Sequence, residues 1–174
     1  WVETSRNRML IGKERHDLGR PDNAGYPVRA IRTPDFLYIR NYTPDAWPAG
    51  NPETDYRNVD DSPTKALLTS RYDEYYAMSF GKRPAIELYD LSSDPDQLVN
   101  VADHPEFAET RRQLNQRLTD ELRETGDPRI IGGGESFDEY PYLGGGPKHP
   151  DQQRNRPQRR RQQNQQRQNQ RQPK

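Results

Sequence analysis

Hydrophobic residues in this chain fall into short runs separated by long polar stretches. Met9-Leu10-Ile11, closed by Gly12, suits a short buried strand. From Pro27 to Arg32, Val28, Ala30 and Ile31 interleave with Arg29 and Arg32. After Thr33-Pro34-Asp35, Phe36, Tyr38 and Tyr42 alternate with Leu37, Ile39 and Arg40. Two alternating runs joined by a short Pro-containing turn predict an antiparallel hairpin, and the mixed second run predicts that both of its faces are partly covered. Ala85 to Leu91 reads as a further strand with Ile86, Leu88 and Leu91 on one side.

Two helices complete the pattern. Ser62-Pro63 offers an N-cap followed by Pro at the first helical position, and the spacing predicts a helix to about Met78 with Leu67, Leu68, Tyr72 and Tyr75 facing inward. Gly81 and Pro84 end it. The last helix starts near Asp103 or His104, where Asp103 and Glu106 have capping-box spacing. Phe107, Leu114, Leu118 and Leu122 form its apolar stripe, and Gly126-Asp127-Pro128 stops it. Between hairpin and first helix, residues 43–61 form a long loop rich in Pro, Asp, Asn and Gly, a kind of segment that often carries function. Asp94-Pro95-Asp96 is a turn whose carboxylates can bond nearby backbone N–H groups. Little regular structure is expected after Arg129.

These elements predict an α+β fold: a small antiparallel sheet of three or four strands with two helices, plus a disordered Arg/Gln-rich tail. A hydrophobic fraction of 29% and a mean hydropathy of −1.35 allow only a small core. The formal net charge of zero conceals an uneven distribution, because residues 152–174 hold eight basic residues and no acid. With so few apolar groups, that tail cannot offset the entropy of ordering it. The 174 residues include no cysteine, which excludes disulfides, thiolate nucleophiles and Cys-ligated metals. No run approaches the ~18 apolar residues of a membrane span. The opening Trp1-Val2-Glu3 reads like mid-sequence, so a fragment of a longer polypeptide is expected.

Three stretches carry a family resemblance. The first is Gly12-Lys13-Glu14-Arg15-His16 leading into Gly25-Tyr26-Pro27-Val28-Arg29-Ala30-Ile31-Arg32-Thr33. The second is Ser62-Pro63-Thr64-Lys65. The third is Glu87-Leu88-Tyr89-Asp90 with Asp94-Pro95 and Asn100-Val101-Ala102, ending in Gly126-Asp127-Pro128. Together they resemble the C-terminal part of a sulfatase of the alkaline-phosphatase-like superfamily, most similar to the heparan N-sulfatase (sulfamidase) branch.

The resemblance implies a division into residues 1–25, the end of a main sulfatase domain with a substrate-side loop; 26–129, a C-terminal subdomain; 130–151, a Gly/Pro/Tyr-rich linker; and 152–174, the tail. It implies hydrolysis of sulfate esters or sulfamates on a sulfated glycan, with a formylglycine and calcium in the full-length parent. It also implies a missing N-terminal domain as partner and a periplasmic or secreted location. The formylglycine motif C/S-x-P-x-R does not occur in this chain, so no catalytic or metal-binding residue is assigned and the chain alone is expected to be inactive.

Glu14, Arg15 and His16 follow a strand, and the resemblance implies that their loop lies on the substrate side, where His16 can donate to a sulfate or hydroxyl and Arg15 can pair with a sulfate or carboxylate, against the equal reading of a solvated charged loop. Lys65, in the first helical turn, is the fourth candidate substrate contact, against the simpler reading of a solvated lysine. Asp60-Asp61 fits the electrostatics of a helix N-terminus better than a metal pair, and Asp22-Asn23 a plain turn. Trp47 can stack on a sugar or anchor its loop, and Tyr72, Tyr75 and Tyr76 are expected in or beside the core. Asn41-Tyr42-Thr43 matches a glycosylation acceptor. The alternative function is a non-catalytic module binding RNA or another polyanion through Arg159-Arg160-Arg161 and its neighbours, although the tail lacks aromatic residues for base stacking.

Overall fold

A computed structural model of the chain describes residues 6–16, 19–71, 73–146 and 149–150. The predicted inward position of Tyr72 and the whole of the 152–174 tail lie outside them. The fold is α+β. Strands β1 (Met9–Lys13), β2 (Val28–Arg32), β3 (Phe36–Asn41) and β4 (Ile86–Asp90) form one antiparallel sheet in the order β1-β2-β3-β4. The β2–β3 turn is closed by Thr33, whose N–H donates to the Phe36 carbonyl at 2.8 Å and whose hydroxyl accepts from the Phe36 N–H at 3.0 Å. Pairing of Ile31 with Tyr38 and of Tyr38 with Leu88 sets a register that puts all three on one face.

That face is covered by a long helix, which we number α3 after the two shorter helices that precede it. Helix α3 (Ala108–Glu124) lays Leu114, Leu118 and Leu122 onto Ile31, Tyr38 and Leu88, with Leu10, Phe36 and Ile86 at the margins. Each fully buried side chain of this size contributes ~1.5–3 kcal/mol, so these residues dominate the stability of the fold. The opposite face carries a smaller cluster of Ala30, Leu37 and Tyr89, with Ile39 and Leu91 beside it. Leu91 packs opposite Ile86 and Leu88, not with them as expected, because strand alternation puts position 91 on the same face as Tyr89. Both faces of β3 are covered, as its mixed pattern predicts.

The free edge of β4 is closed by Asn100 and Val101. Asn100 accepts from the Leu88 N–H at 2.9 Å, and the Val101 N–H donates to the Leu88 carbonyl at 2.8 Å. The acidic turn behaves as expected: Asp94 accepts from the N–H groups of Leu98 and Val99, and Asp90 from Ser92.

Several helix boundaries differ from expectation. The helix expected from Ser62 to Met78 is two helices, α1 (Pro63–Arg71) and α2 (Glu74–Phe80). Ser62 caps the first by accepting from the Lys65 N–H at 3.1 Å. Asp73 caps the second, accepting from the N–H groups of Tyr75 and Tyr76, and this restart resets the helical phase. Leu68, as expected, and Tyr76 turn inward, whereas Leu67 and Tyr75, expected inside, are exposed. The Asp103–Glu106 capping box does not form. Pro105 opens a short 3-10 turn whose N-cap is His104, and Asp103 pairs with Arg111 at 3.3 Å instead. Gly126, at φ 73°, ends the long helix in the left-handed conformation that glycine tolerates. Two further short helices, α4 (Pro128–Ile131) and α5 (Ser136–Glu139), follow where little regular structure was expected.

Candidate functional site

The loop after β1 is fixed from below by a cluster of ion pairs. Glu14 accepts from Arg29 Nη2 at 2.6 Å and from Arg129 Nη2 at 2.7 Å. Arg29, on the helix-covered face of β2, also donates from Nε to Asp127 at 2.7 Å. Asp127 in turn caps α4 by accepting from the Arg129 N–H at 2.9 Å. Burial works against the charge of Arg29, but its bonds to Asp127 and Glu14 prevail and hold its pKa above the ordinary value. Phe137 lies under both guanidinium groups, 5.9 Å from Arg29 and 5.5 Å from Arg129.

Arg15 extends the same tie. Its guanidinium donates to the Asp138 carbonyl at 2.7 Å and to the Tyr140 carbonyl. Asp138 also accepts from the Gly25 N–H at 2.8 Å, and a side chain on Gly25 would place its Cβ 2.9 Å from that carboxylate. Of the four candidate contacts, Glu14 and Arg15 are thus engaged by the protein itself and hold the loop to residues 127–140.

His16, the next residue, is exposed and lines a cleft of about 210 Å³. Lys13 from the end of β1, Pro48, Ala49 and Asn58 from the long loop, and Ser79 and Arg83 from the end of α2 complete most of its wall. The long loop is held against the fold by Arg20, which donates to the Trp47 carbonyl at 3.2 Å and the Pro48 carbonyl at 2.8 Å. Beneath it, Ala49, Tyr56 and Phe80 form a buried cluster with Trp47, Leu68 and Tyr76 around it. Trp47 meets Tyr56 edge-on at 6.0 Å with Lys82 5.4 Å over its ring, so it serves as a loop anchor.

Lys65 occupies a neighbouring cleft of about 560 Å³ that shares Val59 with the first. It is buried, not solvated, and its ammonium donates to the Val59 carbonyl at 2.9 Å and to Asp61 at 3.0 Å. The structure therefore places His16 and Lys65 in adjacent clefts, with Lys65 committed to holding the loop. Asp61 spends its charge on Lys65, and Asp22 lies in a 3-10 turn (Pro21–Asn23). Among the described residues, no three His, Cys, Asp or Glu side chains come together in a group able to hold a metal ion. No described helix is long and apolar enough to cross a membrane. Asn41 is buried, donating to the Pro84 carbonyl at 2.7 Å and to Glu87 at 2.8 Å, which makes its side chain inaccessible to glycosylation.

Sequence reasoning missed Lys13, Asn58 and Arg83 as cleft residues. Lys13 and Arg83 could have been flagged by position, one beside the Glu14-Arg15-His16 run and the other directly after the helix-ending glycine region. Asn58 carries no local signal.

No family model matches the chain. Over 100 residues the chain is 33% identical to an ulvan-active sulfatase from Formosa agariphila, a match covering 53% of this chain and 16% of that protein. The chain thus spans only a small part of the relative's length. The likeness supports a relationship to the sulfatases.

Proposed function

We propose that this chain acts as the C-terminal part of a sulfatase that hydrolyses sulfate esters or sulfamates on a sulfated glycan. The observation that carries the proposal is the 100-residue likeness to the ulvan-active sulfatase, in a chain whose motifs resemble the same family. The cleft supports it physically. A histidine able to donate, set beside cationic side chains on an anchored loop, suits recognition of an anionic sugar more than bond cleavage.

On this reading the nucleophile, its formylglycine and the calcium belong to an N-terminal part of the polypeptide, and the location is periplasmic or secreted. Residues 26–129 form the subdomain, and the loop in residues 1–25 reaches the substrate through His16. Glu14 and Arg15 position that loop, while Lys65 shapes the adjoining wall. The Tyr26 to Thr33 and Ser62 to Lys65 stretches favour a heparan N-sulfatase-like substrate, whereas the relative is active on ulvan.

The genomic reading frame containing this chain tests the proposal. It should encode C/S-x-P-x-R upstream, and its product should release sulfate from a sulfated glycan while the 174-residue chain releases none above buffer. A frame without that motif, or sulfate release by the chain alone, contradicts it.

A further inference from the structure

The cleft beside His16 has an unusual charge balance. Among the described residues its polar lining is Lys13, His16, Asn58, Ser79 and Arg83, with no carboxylate, in a chain that holds 27 acidic residues. Several surface cations elsewhere pair with acids. Arg112 pairs with Glu109, Arg123 with Asp120 and Arg111 with Asp103. Arg83 instead donates to the Met78 carbonyl, which orients the guanidinium, and pairs with no carboxylate among the described residues.

Two further observations single out the same place. The Lys13 ammonium sits 5.8 Å from the ring of buried Tyr26, with the Arg20 guanidinium 5.7 Å from that ring. Burial first, and then repulsion from Arg20, lower the Lys13 pKa below its ordinary value, and a nearby anion would relieve both. Asn58 lines the cleft, and its carboxamide Nδ2 and Oδ1 are buried with no hydrogen-bond partner among the described residues. A buried amide without a partner costs ~1–3 kcal/mol, a cost that a ligand accepting from Nδ2 would reduce.

We propose that Lys13, His16, Asn58 and Arg83 form a binding site for one compact oxyanion group of a saccharide, a sulfo group or a carboxylate, held within this chain itself. The site rests on the sulfatase reading for the saccharide that carries the group. Its recognition chemistry stands without that reading: Lys13 and Arg83 supply charge, His16 and the Asn58 amide supply donors, and no carboxylate among the described lining residues competes.

Sulfate titration of the full 174-residue chain tests it, with sodium chloride at matched ionic strength as the reference. The Asn58 side-chain amide and His16 ring NMR signals should shift saturably with sulfate and stay put with chloride. Lys13→Gln and Arg83→Gln should each weaken binding roughly three- to tenfold, as expected for loss of one charge-assisted hydrogen bond. Lys13→Arg should retain binding, and Arg111→Gln, in a different groove, should leave it unchanged. A parallel titration with sodium acetate identifies the group: saturation by sulfate alone selects the sulfo group, and saturation by acetate at equal or lower concentration selects the carboxylate. Non-saturating shifts with both anions, or equal weakening by Arg111→Gln, would overturn the site. Should sulfate bind while the product of the complete frame releases no sulfate, the sulfatase reading fails and the anion site stands; release without binding here gives the reverse.

Discussion

The half of the molecule made by the sheet and α3 is held differently from the half between β3 and β4. In the first, aliphatic residues at strand and helix spacing pack Ile31, Leu88, Leu114, Leu118 and Leu122 into one layer with Tyr38. In the second, three buried residues, Ala49, Tyr56 and Phe80, are surrounded by side chains that grip backbone: Arg20 on Trp47 and Pro48, Lys65 on Val59, and Asn41 on Pro84. Area burial sustains one half and specific bonds sustain the other. Such a half can hold a recognition cleft in shape with little apolar surface, but each bond is individually more consequential.

The comparison can be broken most forcefully at Leu118, which is 1% exposed. Leu118→Ala should cost about 4 kcal/mol of global stability in urea unfolding; a loss under ~1 kcal/mol would show that the sheet–helix layer is not the main core. Next comes the junction between the halves. Arg29→Met leaves Asp127 without its strongest partner and Glu14 with one arginine fewer, and should cost about 3 kcal/mol. A neutral result would mean that the pairs repay no more than their own desolvation.

A smaller effect, confined to one half, is expected at Tyr56. Tyr56→Leu removes ring contacts with Trp47, Tyr76 and Phe80 and should cost about 2 kcal/mol. Amide exchange should speed up across residues 49–58 while the amides of β2 and β3 keep their protection. Equal acceleration in the sheet would show that the two halves unfold as one.

The smallest effect is a pH dependence on the exposed side of α3. Burial pushes the Glu121 carboxyl upward, but Arg8 and Arg117 outweigh it and hold the pKa below the ordinary value. The folded pKa is depressed, so the stabilisation is present above the unfolded value of ~4.3 and is lost as pH falls through the folded one. Wild type should exceed Glu121→Gln in stability by under ~1 kcal/mol at neutral pH, and the gap should close in acid.

The two halves also differed in how far the sequence revealed them. The hairpin, the Leu114-Leu118-Leu122 stripe and the glycine stop were legible because strand and helix periods are local, and the core they build obeys them. The break between α1 and α2 was missed because Asp73 had to be read as a cap in the middle of a favourable helical run. Tyr56, at φ 48°, and its neighbour Asp55, at φ 54°, adopt left-handed conformations with no local sequence signal, and Tyr56 does so inside the aromatic cluster. His16 was singled out by its place after a strand together with the family resemblance. Glu14 and Arg15 were found with it, yet their bonding to Arg129, Asp138 and Tyr140 spans more than a hundred residues of sequence and has no local signature. Asn58 joins the cleft by the same kind of long-range placement.

The most direct test of the account is the rate of sulfate release from a sulfated glycan by the polypeptide of the complete reading frame, measured beside its His16→Ala variant. Removing one charge-assisted donor of ~1.5–3 kcal/mol should lower kcat/KM by about tenfold or more, with the fold intact. Identical rates for the two proteins, or no sulfate release by the wild type, would contradict it.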